Sequence, residues 1–157
     1  MDEPRWLDER ELRAWRDFLV VGSMVDRLVE QQLKDEAGLS HTQYEVLARL
    51  SEAPGGELRM TELAGVAVTS KSGLTYQVGQ LEKAGLVRRR SCERDVRGVL
   101  AGLTDAGWVK LRETAPGHAA RVRELFVEGL DSGQFADLAE SLAALAAHLR
   151  GRVSPAG

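Results

Sequence analysis

The chain of 157 residues has a single cysteine, three histidines and few aromatic side chains, which make up 5% of the total. One cysteine cannot form a disulfide within the chain, and His41, His118 and His148 lack the spacing of metal ligands. No apolar run reaches the roughly 18 residues of a membrane span, and the first residues are acidic where a signal peptide is apolar. We therefore expect a cytoplasmic protein without a metal or cofactor.

Catalytic motifs are also lacking. No glycine-rich phosphate loop follows a predicted strand, and neither an HExxH nor a GxSxG pattern occurs. Cys92 is the one cysteine that could act as a nucleophile, and it has no histidine near it in the sequence. These absences favour a binding protein over an enzyme.

What the sequence does have is a basic segment within an acidic chain. Hydrophobic residues make up 43% of the chain, enough for the core of one domain or a small two-part unit. The formal net charge is −3, yet the segment from Thr69 to Arg112 carries +5 and the remainder −8. Such a segment is either a solvated charged surface or a binding site for phosphate groups, and its neighbours must decide which.

The first third of the chain has the periodicity of helices. Apolar residues three or four apart predict an amphipathic helix over Leu7–Lys34. Ser40 and Gln43 form the pattern of a capping box, which predicts a second helix that ends near Pro54. A short third helix is expected within Leu58–Val66.

A fourth helix, capped by Thr69 and Ser70, has two distinct faces. At 100° per residue, Leu74, Val78 and Leu81 fall on one side, which we expect to be buried. The opposite side carries small or polar residues: Ser72, Thr75, Tyr76, Gly79 and Gln80. An ordinary exposed helix has such a face, and so does a helix that reads base edges. Because a short helix and a tight turn precede it, the arrangement is that of a helix-turn-helix.

A β-hairpin is predicted after the fourth helix. Gly85 ends the helix, a strand begins at Leu86, and Val99, Ala101 and Leu103 alternate on the returning strand. The arginines of the hairpin are Arg88, Arg89, Arg90, Arg94 and Arg97. A ribbon of this kind can insert Arg94 or Arg97 into a minor groove while the other three lie near phosphates.

The ordered set of segments LSHTQYEVLARL, MTELA, SKSGLTYQVGQLEKAGLVRR, ERDVRG and LTDAG, between Leu39 and Gly107, resembles the multiple antibiotic resistance regulator (MarR) family. The resemblance implies a mainly α fold with a small β-ribbon. It implies a winged helix-turn-helix lobe over residues 39–104 and a dimerisation region formed by residues 1–38 and 105–157. It further implies a homodimer that binds a pseudo-palindromic operator in double-stranded DNA, usually as a repressor that a small molecule or oxidation releases.

The same resemblance assigns DNA contacts to particular positions. On the recognition helix these are Ser70, Lys71, Ser72, Thr75, Tyr76 and Gln80. Asp95 and Arg97 match the Asp-x-Arg of the family's wing tip, where the arginine reaches the minor groove. Tyr76 departs from the family, many members of which have an arginine there, so that stacking or a phosphate contact from its hydroxyl is expected instead.

The outer segments have a pattern suited to dimerisation. Apolar residues in steps of three and four predict a seam along the last helix, and the first helix offers a second apolar stripe. The predicted interface residues are Leu12, Leu19, Leu138, Leu142, Leu145 and Leu149. Pro116 interrupts the helix that begins near Asp105, so that either a bend or two shorter helices are expected there.

The response to a signal is the least constrained by the sequence. The family binds ligands between the dimer helices and the lobe, and the residues suited to an aromatic or phenolic effector there are Trp15, Phe18, Tyr44, Met60 and Trp108. The alternative is that they are ordinary core residues. Cys92 among arginines allows a redox-responsive regulator, although the family's peroxide sensors have their cysteine in the N-terminal helix.

One further class stays open, a winged-helix module that binds proteins and no specific DNA. It predicts a neutral or acidic fourth helix and wing, whereas the segment here is basic.

Overall fold

The computed structural model describes residues 4–66, 71–93 and 95–152, and for residues 66, 71, 72 and 95–97 it describes the backbone alone. Within this part of the chain the fold is mainly helical with a small β structure, as predicted. The sheet has three antiparallel strands, however, whereas the predicted ribbon has two. The elements are α1 (Glu9–Ala37), α2 (His41–Glu52), β1 (Glu57–Arg59), α3 (Met60–Val66), α4 (Lys71–Lys83), β2 (Val87–Cys92), β3 (Asp95–Leu103), α5 (Asp105–Val122) and α6 (Ser132–Arg150). None of the helices described is both long and apolar enough to cross a membrane.

Capping groups set the ends of the first two helices. Asp8 accepts a hydrogen bond from the Glu11 N–H at 2.8 Å, and α1 continues to Gly38, whose φ of 67° ends it. α1 therefore begins two residues later and ends three residues later than the apolar periodicity predicted. The predicted capping box of Ser40 and Gln43 is confirmed, with the Gln43 N–H 3.1 Å from the Ser40 hydroxyl.

The first strand was missed by the sequence prediction, which gave one helix over Leu58–Val66. Glu57–Arg59 pairs with β3 instead, and the helix begins at Met60. A strand of three residues has too little sequence for an alternating pattern, and it exists because β3 supplies its partner. The sheet order is β1-β3-β2, with both pairs antiparallel.

The core lies in the lobe, where α2, α3, α4 and the sheet meet the C-terminal part of α1 and the first half of α5. Its fully buried side chains include Val29, Leu33, Val46, Leu47, Leu50, Leu63, Leu74, Val78, Leu81 and Val87. Val99, Ala101 and Leu103 lie on one strand, as predicted. Ala101 and Leu103 are buried, whereas Val99 is 41% exposed, because the hairpin extends beyond the core there.

α5 runs without interruption past Pro116, so the alternative of two shorter helices at this point is wrong. The irregular stretch comes later, as a π-helical segment at Arg123–Val127. Pro116 and Arg112, four residues before it, both lie on the exposed side. A carbonyl on that side can tilt toward water, which relieves the clash with the proline ring.

Two surfaces of the protomer stay uncovered. The N-terminal half of α1 exposes about half of each of Trp15, Phe18 and Leu19. α6 begins with a capping box at Asp131 and makes few contacts with the other elements described. Apolar area of this extent is typical of an interface with another protein chain.

Candidate nucleic-acid interface

The fourth helix has the two faces that the sequence predicted. Leu74, Val78 and Leu81 are each at most 1% exposed, which confirms the buried side. On the other side Thr75 is exposed and Tyr76 is 63% exposed. The outward face of α4 is therefore available to a large partner.

The remaining predicted residues of this helix lie around that face. Gln80 is half-buried one turn after Tyr76. Lys71 and Ser72 belong to the first turn of α4, of which the backbone is described. Ser70 and the predicted cap at Thr69 lie outside the described residues. α3 and α2 both pack against α4, so that a short helix precedes a supported, outward-facing one, as in a helix-turn-helix.

The hairpin predicted after α4 is confirmed as β2 and β3, with a register irregularity between Ser91 and Cys92. Val87 is buried at its base, whereas the next four residues of β2 are exposed. Asp95 and Arg97 lie on the first part of β3, and Arg94 lies outside the described residues. The hairpin thus projects from the lobe beside α4.

Two hairpin arginines share one carboxylate. The Arg90 Nε donates a hydrogen bond of 2.9 Å to Glu57 Oε2, and the Arg88 Nη2 lies 3.7 Å from Glu57 Oε1. Glu57 belongs to β1, the strand that the sequence prediction missed. The pattern of arginines alone gave no indication of this partner.

The third arginine of the run is tied to α4. The backbone N–H of Arg89 donates to Glu82 Oε2 at 3.1 Å, and its Nη2 donates to Glu82 Oε1 at 3.0 Å. These side-chain and backbone hydrogen bonds from Arg89 hold the pKa of Glu82 below its usual range. A Cβ on Gly79 would lie 3.9 Å from the Arg89 guanidinium, which shows how closely Arg89 follows α4. Arg89 therefore fixes the hairpin to the helix.

Cys92 lies half-buried near the hairpin tip, with its Sγ 3.7 Å from the Arg59 Nη2. The sequence prediction placed it among Arg90, Glu93 and Arg94, and Arg59 on β1 is a neighbour that it did not include. The contact with Arg59 does not test a redox role of Cys92, which stays a prediction.

A cluster of polar side chains joins the lobe to the outer helices. The His41 Nδ1 lies 2.8 Å from Asp26 Oδ1 on α1, and the backbone N–H of His41 donates to Glu30. Burial alone would raise the pKa of Glu30, but the hydrogen bonds from His41 and Lys34 hold it below its usual range. The start of α2 is therefore anchored to α1.

His118 completes this cluster from α5. Its ring lies 4.2 Å from that of Tyr44 and 6.1 Å from that of His41, between centroids. Burial, and secondarily His41, lower the pKa of His118, while Glu45 opposes the shift. Burial also raises the pKa of Tyr44. Among the described residues no group of three or more histidine, cysteine or carboxylate side chains is placed to hold a metal ion.

The five predicted effector residues are distributed over separate places in one protomer. Trp15 and Phe18 stack on exposed α1, with centroids 6.0 Å apart. Tyr44, in the first turn of α2, packs against His118. His41 of the same turn contacts Asp26, which is about 16 Å further along α1 than Trp15 at 1.5 Å per residue. Trp108 lies against the backbone of the turn before β1, and Met60 is half-buried at the start of α3.

A cavity of about 410 Å³ lies between α1 and α5, and its lining includes none of those five residues. Its lining is Gln31, Gln32, Asp35, Glu36, Gly117, Ala120, Arg121 and Glu124. Gln32 Oε1 and Arg121 Nε are buried there, and no described residue forms a hydrogen bond with either atom. Most of its lining side chains are polar, with more acidic than basic groups, whereas the site that the sequence suggested is aromatic.

Comparison with known proteins gives a consistent result. A profile of the MarR family matches residues 39–99. The HTH-type transcriptional repressor YetL of Bacillus subtilis is 32% identical over 116 residues, which are 74% of this chain and 69% of YetL. The HTH-type transcriptional regulator PecS of Dickeya dadantii is 27% identical, over 77% of this chain and 76% of PecS.

Solved structures agree with the sequence matches. Sco3205 of Streptomyces coelicolor, a MarR family transcriptional regulator crystallised in complex with DNA, is 41% identical, with a TM-score of 0.86 over 93% of this chain and 91% of that one. AbsC, a MarR family regulator from the same organism, is 40% identical, with a TM-score of 0.85 over 94% and 99% of the two chains.

Proposed function

Since the chain belongs to the MarR family of transcriptional regulators, we propose that it is a dimeric, cytoplasmic repressor whose α4 reads the major groove and whose β2–β3 hairpin meets the adjacent DNA backbone. The observation that carries this proposal is the outward face of α4. Tyr76 is 63% exposed there, directly opposite a fully buried side. We propose no catalytic activity.

We assign the reading of bases to the outward face of α4 and most of the phosphate contacts to the hairpin. Thr75, Tyr76 and Gln80 offer hydroxyl and amide groups suited to base edges or phosphates, and Ser70, Lys71 and Ser72 precede them at the start of the helix. Few of these side chains carry charge. Arg88, Arg89 and Arg90 of the hairpin therefore supply most of the phosphate contacts, while Arg97 inserts into the minor groove, and binding is expected to weaken steeply with salt.

The exposed apolar surfaces of α1 and α6 support the proposal that the protein is a dimer. The half-exposed side chains of Leu19, Leu145 and Leu149 need a partner, and another copy of the chain offers the same apolar surface. We propose that residues 1–38 and 105–157 form this interface and that residues 39–104 form the DNA-binding lobe. Two lobes related by a two-fold axis read a pseudo-palindrome, with half-sites about 10 base pairs apart if both helices approach one face of the duplex.

A binding selection from random duplexes, followed by footprinting of the most enriched sequence, tests the assignment. The expected result is a symmetric protected region with two half-sites, and affinity that falls as salt rises. Protection of one asymmetric half-site would contradict the dimeric mode. Binding that is indifferent to sequence would favour the alternative of a winged-helix module without specific DNA recognition.

We also propose that the protein represses transcription and that a small molecule releases it from DNA. Repression is supported by the similarity to YetL, which is named as a transcriptional repressor. The selected duplex also tests the release by a small molecule. Salicylate represents the phenolic class, and its addition to the protein–DNA complex is expected to release the duplex. Addition of a cationic amine such as agmatine tests instead whether the cavity between α1 and α5, with its acidic side chains, binds a cationic effector. Release by peroxide, absent in Cys92→Ser, would favour the redox alternative.

A further inference from the structure

The side chain of Glu57 crosses an entire strand to reach the hairpin arginines. Glu57 belongs to β1 and the arginines to β2, and β3 lies between these strands. Glu57 pairs with Gly102, and Gly102 pairs with Arg88, so that the three residues form one row across the sheet. The middle residue of this row has no side chain.

Gly102 is what makes the crossing possible. A Cβ at this position would lie 2.8 Å from the Glu57 Cγ, whereas carbon atoms in contact are about 3.5–4.0 Å apart. Any other residue would therefore displace the Glu57 side chain. The row is built so that a carboxylate from one edge of the sheet reaches the guanidinium groups on the other edge.

The Glu57 carboxylate is more buried than the two guanidinium groups that it contacts. The side chain of Glu57 is 22% exposed, whereas those of Arg88 and Arg90 are 59% and 48% exposed. Each guanidinium has five N–H donors in a fixed plane, and the hydrogen bond to Glu57 occupies one donor of Arg90. The outer donors of both arginines stay accessible to a phosphate.

We propose that Glu57 is a positioning residue that determines specificity: it orients Arg88 and Arg90 for the phosphates of the operator and lowers the affinity for DNA of other sequences. Its negative charge weakens every phosphate contact of the pair, whichever sequence is bound. Its hydrogen bond also orders the arginine side chains before DNA binds. The arginines therefore lose less conformational entropy when they bind phosphates that fit this preformed geometry. Only a duplex whose phosphates fit that geometry gains from the ordering of the arginines. The difference between the affinity for the operator and the affinity for other DNA therefore grows.

The inference rests on the proposed contact between the hairpin and DNA, which Arg90→Ala tests separately. Affinities are measured by fluorescence anisotropy, at several salt concentrations, for the most enriched selected duplex and for its scrambled counterpart. Glu57→Gln removes the charge and keeps the shape. Gly102→Ala keeps the charge and displaces the side chain. Glu52→Gln is the matched control, because it makes the same charge change beside Arg49 on α2, outside the hairpin and α4.

Glu57→Gln is expected to raise the affinity for the scrambled duplex about three- to tenfold and to steepen its salt dependence by about one unit of log–log slope. The affinity for the selected duplex should change by less than about twofold, because the amide accepts a weaker hydrogen bond and orders the arginines less, which offsets the loss of the negative charge. Gly102→Ala should also lower the ratio of selected to scrambled affinity, although the net charge is unchanged. A merely structural role would lower both affinities together.

Three results would overturn the inference. An unchanged ratio in both variants would show that Glu57 does not determine specificity. An equal shift in Glu52→Gln would assign the effect to net charge alone. If Arg90→Ala left both affinities unaltered, the proposed hairpin contact itself would be wrong. If Gly102→Ala does not fold, Glu57→Gln decides the matter alone.

Discussion

The imidazole of His118 packs on the phenol ring of Tyr44, with ring centroids 4.2 Å apart, and so joins α5 to the first turn of α2. The Nδ1 of His118 is buried without a hydrogen-bond partner in the described part of the protein. His41 and Glu45 of α2 and Asp26 and Glu30 of α1 are the other titratable groups around this contact. An uncharged His118 suits this site, because its burial penalises the imidazolium.

The first prediction concerns pH. Since the pKa of His118 is lowered on folding, the unfolded chain binds more protons just below its usual pKa of about 6.5. The free energy of unfolding should therefore fall as the pH is lowered from 7.5 to 5.5. His118→Phe keeps an aromatic ring on Tyr44 and removes the titration, so its stability should vary less. Urea unfolding at both pH values measures this, and parallel curves for the two proteins would contradict it.

The second prediction compares two neighbouring glycines with the same backbone conformation. Gly55 and Gly56 have φ values of 67° and 70°, and a Cβ on Gly56 would lie 3.1 Å from the Trp108 ring, whereas one on Gly55 would meet nothing within 4 Å. Gly55→Ala should cost about 1–2 kcal/mol from the left-handed conformation alone. Gly56→Ala should cost more, since Trp108 must also move. Equal losses in urea unfolding would show that the indole yields without strain.

The third prediction concerns the outward face of α4. Tyr76 is 63% exposed, so Tyr76→Ala should leave the stability unchanged within about 0.5 kcal/mol. If the side chain contacts DNA, the substitution should weaken binding to the selected duplex by about 1–3 kcal/mol. Tyr76→Phe separates the ring from the hydroxyl: full affinity indicates stacking, and reduced affinity indicates a hydrogen bond. An unaltered affinity in Tyr76→Ala would remove this residue from the interface.

The fourth prediction concerns assembly. Leu145 is 46% exposed on α6, so an aspartate there should not disturb the protomer. In a dimer that buries this surface, Leu145→Asp places a charge in an apolar interface and should yield monomers at micromolar concentration. Ala147→Asp makes a similar change about half a turn away, on an exposed position, and should stay dimeric. Sedimentation velocity measures both, and a dimeric Leu145→Asp would place the interface elsewhere.

Local features of this fold were predictable and long-range ones were not. The capping box at Ser40 and the buried side of α4 depend on residues within one or two turns, so the sequence pattern encodes them directly. Glu57 and its hydrogen-bond partner Arg90 are 33 positions apart in the sequence, and no local pattern links them. The carboxylate partners of the arginine run could not be predicted, because Glu57 and Glu82 belong to a strand and a helix that contact the run only after folding.

At Pro116 the local signal left two alternatives open, a bend or two shorter helices, and the sequence could not decide between them. Proline removes a helical hydrogen bond wherever it occurs, but its cost depends on which side of the helix it faces. Exposure is decided by packing, which the sequence of α5 does not contain. The helix therefore continues through Pro116 and loses its regular pattern only at Arg123–Val127.

The sparse contacts of α6 within its own protomer have a consequence for how the protein assembles. Most of the stability of a protein helix comes from the packing of its apolar face against other elements, and the 19 residues of α6 have little such packing within one chain. We therefore expect α6 to become fully ordered as two chains associate, with the edge-on contact of Phe126 and Phe135 as its starting point. Folding is then bimolecular in its last step, and the midpoint of thermal denaturation rises with protein concentration. The amount of regulator in a cell thereby sets the fraction of chains whose C-terminal helix is formed.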